Sequence, residues 1–253
     1  MKSRKSFSNK LLIDKIYMNR IKILLIILTV ILATGVARSQ NRIGVVNDYR
    51  INVGDFDKVI IDNGINVVYS NKADSIGYVN YKCESKYADA VIVSCKEGKL
   101  KIQLSPEYVE QSNLPTLNIY SKNLFSVNNN SDSTFTAFSL SKCEKFQAKQ
   151  MGNGTININN IDANEVNARL ATGRGNIHIS GECKVAKISM IGTGVIQADL
   201  LKADDVECLI IGSGSIGCDP LKTLSVKGIG STKVYYRGNP TIIKKGGGKL
   251  IPL

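Results

Sequence analysis

Asp199 and Asp219 lie 20 residues apart, in a stretch of the chain that repeats with about that period. Side chains one period apart on stacked β coils sit about 5 Å from each other. That is close to the separation of the carboxylate pair in a retaining glycosidase, about 5 Å. With Asp204, Asp205 or Glu207 nearby, the pair could also seed an oxygen-rich Ca2+ site. The same slot in earlier units holds Asn159 and Ser180, however. Short polar residues recurring there point first to a ladder of turns, because each can bond its own backbone. Ca2+ is therefore the one cofactor with any support, and no catalytic set is assigned.

Other motifs with chemical potential dissolve in the same way. His178, the only histidine, stands between Ile177 and Ile179, so strand alternation turns it outward. Without a neighbouring Ser, Cys or carboxylate motif it defines neither a triad nor a metal site. Gly212-Ser-Gly214-Ser-Ile-Gly217 matches the dinucleotide-binding string, yet the sequence after it reads as a strand rather than the required helix. Aromatic residues offer more. Tyr108 and Glu110 fall in a polar loop, Ser105–Leu114, and Tyr235 and Tyr236 close the repeats. Tyr81, Tyr87 and Tyr120 add to the aromatic content of the N-terminal half. On a rigid β rod such side chains can stack on sugar rings or anchor a protein partner.

These residues are positioned by a repeat. A station of the form small–x–small–x–apolar returns as Ser131/Ser133/Phe135, Gly152/Gly154/Ile156, Gly173/Gly175/Ile177 and Gly192/Gly194/Ile196. It continues as Gly212/Gly214/Ile216, Gly230/Thr232/Val234 and Gly246/Gly248/Leu250. A fixed period of this size means one supersecondary unit, copied and stacked so that each copy completes its neighbour's core. The sequence predicts an all-β, right-handed β-helix or β-solenoid with coils of about 20 residues. The small stations form corners, and alternating apolar residues stack as inward ladders. Ala163–Ala168 and Lys202–Glu207 could each form a helical turn within one repeat. Ser131, Ser133 and Thr232 depart from glycine, and there the repeat is expected to fray or cap.

Residues 40–126 read as a distinct N-terminal β segment and 127–253 as the repeats with a C-terminal cap. In the former, Asp62-Asn63-Gly64 and Lys96-Glu-Gly-Lys99 each carry a hairpin signal. Residues 1–39 read as a secretory signal peptide, with an uncleaved anchor as the competing reading: basic residues, the 11-residue apolar run Ile23–Ala33, then Ala37-Arg-Ser39. This leader holds eight basic residues and one acid, so the rest of the chain keeps 25 against 20. Those cations are scattered and no Trp accompanies them, which argues against a nucleic-acid partner. Membrane contact is expected only through the export signal. In an exported protein the six cysteines can form disulfides. Cys83 and Cys95 are the best candidate pair. Cys143 and Cys183 stand two coils apart, about 10 Å, which is too far. The plainer expectation is that most of the six are small buried apolar side chains.

Gly64-Ile65-Asn66, the reiterated Gly-Ser-Gly stations and Val234-Tyr-Tyr-Arg-Gly238-Asn-Pro240 together resemble the auto-transporter adhesin family with a head GIN domain. The resemblance covers roughly residues 43–252. It implies a β-helical protein of the Gram-negative envelope, periplasmic or surface-exposed, and brings no catalytic residues. The function expected is a non-enzymatic adhesion or recognition module for an extended ligand, a glycan or an envelope or host surface protein. Two alternatives stand beside it: a polysaccharide-active enzyme using Asp199 and Asp219, and a structural protein of the envelope. Open strand edges at the solenoid ends also allow a homodimer.

Overall fold

The computed structural model describes residues 45–111, 113–138 and 140–253; the signal peptide expected at 1–39 lies outside them. Among the described residues seventeen strands form one continuous sheet. The first nine are β1 (Val46–Asn52), β2 (Lys58–Asp62), β3 (Val67–Ser70), β4 (Tyr78–Glu84), β5 (Val91–Lys96), β6 (Lys99–Leu104), β7 (Leu117–Tyr120), β8 (Ser126–Asn130) and β9 (Thr134–Ala137). The repeats supply β10 (Cys143–Met151), β11 (Thr155–Thr172), β12 (Asn176–Gly192), β13 (Val195–Gly212) and β14 (Ser215–Ile229). The chain closes with β15 (Lys233–Tyr236), β16 (Thr241–Gly246) and β17 (Lys249–Pro252).

The long strands bend at internal corners, so each coil has two long sides. On the first side the order is β1–β4–β7–β3–β9–β11–β12–β13–β14–β15–β17. On the second it is β5–β6–β2–β8–β10–β11–β12–β13–β14–β16. Pairing is parallel except at the N-terminal end, where β1, β4 and β5 add antiparallel strands that cover it. This is the β-solenoid expected from the repeat.

Alternation puts one set of side chains inside. Ile156, Ile177, Ile196 and Ile216 form a fully buried ladder, and Phe146, Val166, Ala186, Val206 and Leu224 another. Each such isoleucine contributes about 1.5–3 kcal/mol through burial. The first glycine of each station, Gly152, Gly173, Gly192, Gly212 and Gly230, has φ between +87° and +134°. The second, Gly154, Gly175, Gly194 and Gly214, sits where a Cβ would press into the preceding coil. Gly194, for example, faces the carbonyl oxygen of Gly175. The first glycine is needed for conformation, and at Gly173, Gly212 and Gly230 for close approach as well; the second is needed for close approach.

Several expectations change. Gly44–Leu253 form one compact unit. The coil formed by β2 and β3 is wedged between β6/β7 and β8/β9, both later in the chain. Asn63 and Gly64, with φ of 64° and 79°, therefore make a corner rather than a hairpin, since both edges of β2 are already occupied. The Lys96–Lys99 hairpin does form, joining β5 to β6. Ala163–Ala168 and Lys202–Glu207 are extended, because each is paired on both sides. The repeat does not fray at Ser131 and Ser133. Their buried hydroxyls bond each other at 2.7 Å, and Asn129 donates to the Ser133 carbonyl, replacing glycine geometry with side-chain hydrogen bonds.

All six cysteines are free thiols. Cys83 lies on β4 and Cys95 on β5, on different sides of the coil, so the suggested pair does not form. Cys143, Ala163 and Cys183 are successive rungs of one ladder, as the period required. Burial pushes the Cys183 thiol up to about 12, with Asp204 adding to the effect.

A cationic groove along the second side

Outward residues of stacked strands form columns, and two of these border a groove of about 590 Å³. One column runs Gln147, Asn167, Lys187, Glu207, Ser225. The other runs Asn128, Lys149, Arg169, Ser189, Leu209, Lys227. Between them the floor is formed at Ala148, Ala168, Ile188 and Cys208, whose side chains point into the core. The groove is therefore a direct product of strand alternation.

Its charge is unbalanced. Among the described residues Lys149, Arg169, Lys187 and Lys227 line it against Glu207 alone. The next column outward contains Glu165, held by Lys145 at 2.8 Å and Lys187 at 3.1 Å. Hydrogen bonds from these two ammonium groups bring the Glu165 carboxyl down to about 2. Asp205 is engaged by the Thr223 hydroxyl. Among the described residues, Lys149, Arg169 and Lys227 enter none of the ion pairs. A second hollow of about 520 Å³ continues from Gln147 and is lined by Phe125, Cys143, Lys58, Lys142 and Lys145.

The residues singled out in the sequence lie elsewhere. Tyr108 belongs to a 3-10 turn near the N-terminal end, where its hydroxyl donates to the Lys86 carbonyl and its ring meets Tyr87 edge-on. Glu110 is exposed on the same loop. Tyr235 and Tyr236 lie on β15, near the opposite end of the stack. The four do not converge. Tyr81 and Tyr87 are buried, and Tyr81 stacks on Tyr49 with centroids 5.1 Å apart.

Asp199 and Asp219 do not stack either. The register slips after Ala198–Cys218, so that Asp219 comes opposite Lys202. Arg237 binds the Asp199 carboxylate at 3.0 Å and donates through Nε to its backbone carbonyl at 2.9 Å. The slip and this guanidinium remove the carboxylate pair that the period suggested. His178 does point outward, in a column with Asn157 and Gln197. The groove was missed although its columns follow the repeat: Lys149, Arg169, Ser189, Leu209 and Lys227 each precede a station by three or four residues.

The chain is a parallel β-solenoid whose outward side chains form columns across its stacked surface. The family model described as "Putative auto-transporter adhesin, head GIN domain" matches residues 55–240, and the chain belongs to that family. No curated protein sequence shows significant similarity to it. Among solved structures it is similar to a "putative adhesin" from Bacteroides fragilis, with a TM-score of 0.71 and 19% identity over 83% of this chain and 97% of the other. It is also similar to a "putative lipid binding protein" from Parabacteroides distasonis, with TM-score 0.66, 20% identity, and 83% and 98% coverage. A "putative adhesin" from Parabacteroides merdae gives 0.60, 19%, 83% and 97%. At such identities the likeness concerns the fold.

Proposed function

We propose that this chain is an exported, non-enzymatic recognition module of the adhesin type, acting in the envelope or at the surface of a Gram-negative bacterium. It holds an extended ligand against the second side of its solenoid. The observation that carries this reading is the groove, which crosses successive parallel coils and is lined by outward side chains at a fixed rise of about 4.8 Å. A rigid ladder of this kind presents contacts at regular intervals, which suits a linear ligand better than a small one. Among the described residues Glu207 is the one carboxylate of the lining, and no acid–base pair of theirs faces a bound chain there. The family's adhesin description points in the same direction.

The test is adhesion itself. Beads carrying the purified protein are passed over mucus-coated and envelope-coated surfaces, with albumin-coated beads as reference. Saturable retention on either surface is expected. Retention no greater than the reference on both would overturn the reading.

A further inference from the structure

We infer that the groove's ligand is an acidic polysaccharide, a linear glycan bearing carboxylate or sulfate groups, laid parallel to the solenoid axis. This rests on the recognition reading above and adds its chemistry. Lys149 and Arg169 occupy successive coils, and Lys227 lies three coils beyond Arg169, about 14 Å away along the stack. A single monosaccharide cannot reach both ends, whereas a polymer with repeated anionic groups can. Arg169 offers a planar fork for a carboxylate or sulfate, and the lysines supply point charges.

The rest of the lining fits a sugar backbone. Asn128, Gln147, Asn167, Ser189 and Ser225 provide amides and hydroxyls that can pair with sugar hydroxyls. Among the described residues no aromatic ring lines this groove, so a neutral glycan finds no stacking platform there. Among the described residues the groove offers no Trp or Tyr of its own as an anchor for a protein partner. Single-stranded nucleic acid would lack the rings on which bases stack. Charge and hydrogen bonding remain as the sources of affinity. Where the groove lengthens past Gln147, the adjoining hollow adds one ring, Phe125, whose carbonyl accepts from the Gln147 N–H at 2.9 Å, together with Lys58, Lys142, Lys145 and Glu144.

The experiment uses the purified protein with polygalacturonate, heparin and neutral dextran as probes, at low and high salt. Polygalacturonate presents carboxylates and heparin chiefly sulfates, so the two arms distinguish the anionic group. Binding to at least one polyanion, none to dextran, and weakening at high salt are expected, since exposed charges are screened beyond about 10 Å at 0.1 M salt. The groove triple Lys149→Glu, Arg169→Glu, Lys227→Glu should lose at least about tenfold in affinity. The control triple Lys202→Glu, Lys233→Glu, Lys249→Glu makes the same change in net charge away from the groove, and should stay within about twofold. Equal losses in the two triples, or equal binding of dextran, would overturn the inference. If the groove triple does not fold, Arg169→Gln alone must still weaken polyanion binding relative to Lys233→Gln. A groove triple that loses polyanion binding but keeps full surface retention would overturn this inference and leave the adhesion reading standing.

Discussion

The side-chain Oδ1 of Asn66 accepts the backbone N–H of Thr134 at 2.9 Å, while the backbone carbonyl of Asn66 accepts the N–H of Leu117 at 2.9 Å. One residue of the Gly64-Ile65-Asn66 tripeptide thus fastens its coil to both neighbours, which lie 68 and 51 positions later in the chain. Gly64 turns the corner with φ of 79°, and Ile65 is fully buried beside it. The tripeptide is a clip that keeps an early coil wedged between two later ones.

Asn66→Ala should cost about 1 kcal/mol, the usual worth of such a bond. Asn66→Asp keeps an acceptor for the Thr134 N–H and should recover most of the loss. Denaturant unfolding of the three proteins checks this; an alanine variant as stable as the parent would show that the clip contributes nothing.

How far the sequence could be read depended on the range of the contact involved. Station glycines such as Gly173 and Gly194 were legible because corner conformation and close approach recur every period. The place of β2 and β3 was not, because positive φ at Asn63 and Gly64 serves a hairpin and a solenoid corner equally well. Only the pairing of β2 with β6 and β8 decides between them. At the candidate site two separate causes hide the chemistry from the sequence. The period sets Asp199 against Asp219, but the register shifts after Ala198 and Arg237, 38 residues on, binds Asp199. The groove cations were passed over because each is an ordinary outward residue within its own strand. Their meaning comes from stacking, not from any local motif.

The close-approach role of the second station glycine can be tested by substitution. Gly194→Ala would drive a methyl group into the Gly175 carbonyl and the Leu170 side chain, and should cost about 1–3 kcal/mol. Gly247→Ala meets only ordinary contacts, 3.5 Å or more from the Gly230 carbonyl oxygen, and should be near neutral. Thermal melts of both variants decide it; equal shifts would mean that coil approach is not what selects glycine at the second station position.

Glu165 gives a pH signature. Its folded-state value, about 2, lies below the ordinary carboxylate value of about 4.3, because Lys145 and Lys187 both donate to it. A lowered acid stabilises the fold fully above the unfolded value and loses that contribution as pH falls through the folded value. The cluster is partly exposed, so solvent screening holds the gain to about 1 kcal/mol or less. Glu165→Gln should therefore melt slightly below the parent at neutral pH, and the two curves should converge as pH falls from about 4 towards about 2. Convergence only above pH 5 would point to a different titrating group.

Lys244 sits where the solenoid ends. It continues the inward ladder Ala148, Ala168, Ile188, Cys208, Val226, each buried, yet it is itself exposed and donates to the Gly248 carbonyl at 2.8 Å. Among the described residues β16 pairs only with β14, so its other edge offers free backbone groups to a further strand. Ile242, 40% exposed on the same strand, gives an incoming coil an apolar surface to cover. An inward-pointing charge is one of the devices by which natural sheets blunt such an edge, because stacking another coil would bury an ammonium group without a partner. Lys244→Leu completes the apolar ladder and removes that penalty. Sedimentation velocity over a concentration series should show the variant associating end to end more strongly than the parent. Lys244→Arg, which keeps the charge, should behave as the parent does. Identical profiles for the leucine variant and the parent would mean that some feature other than Lys244 guards this edge.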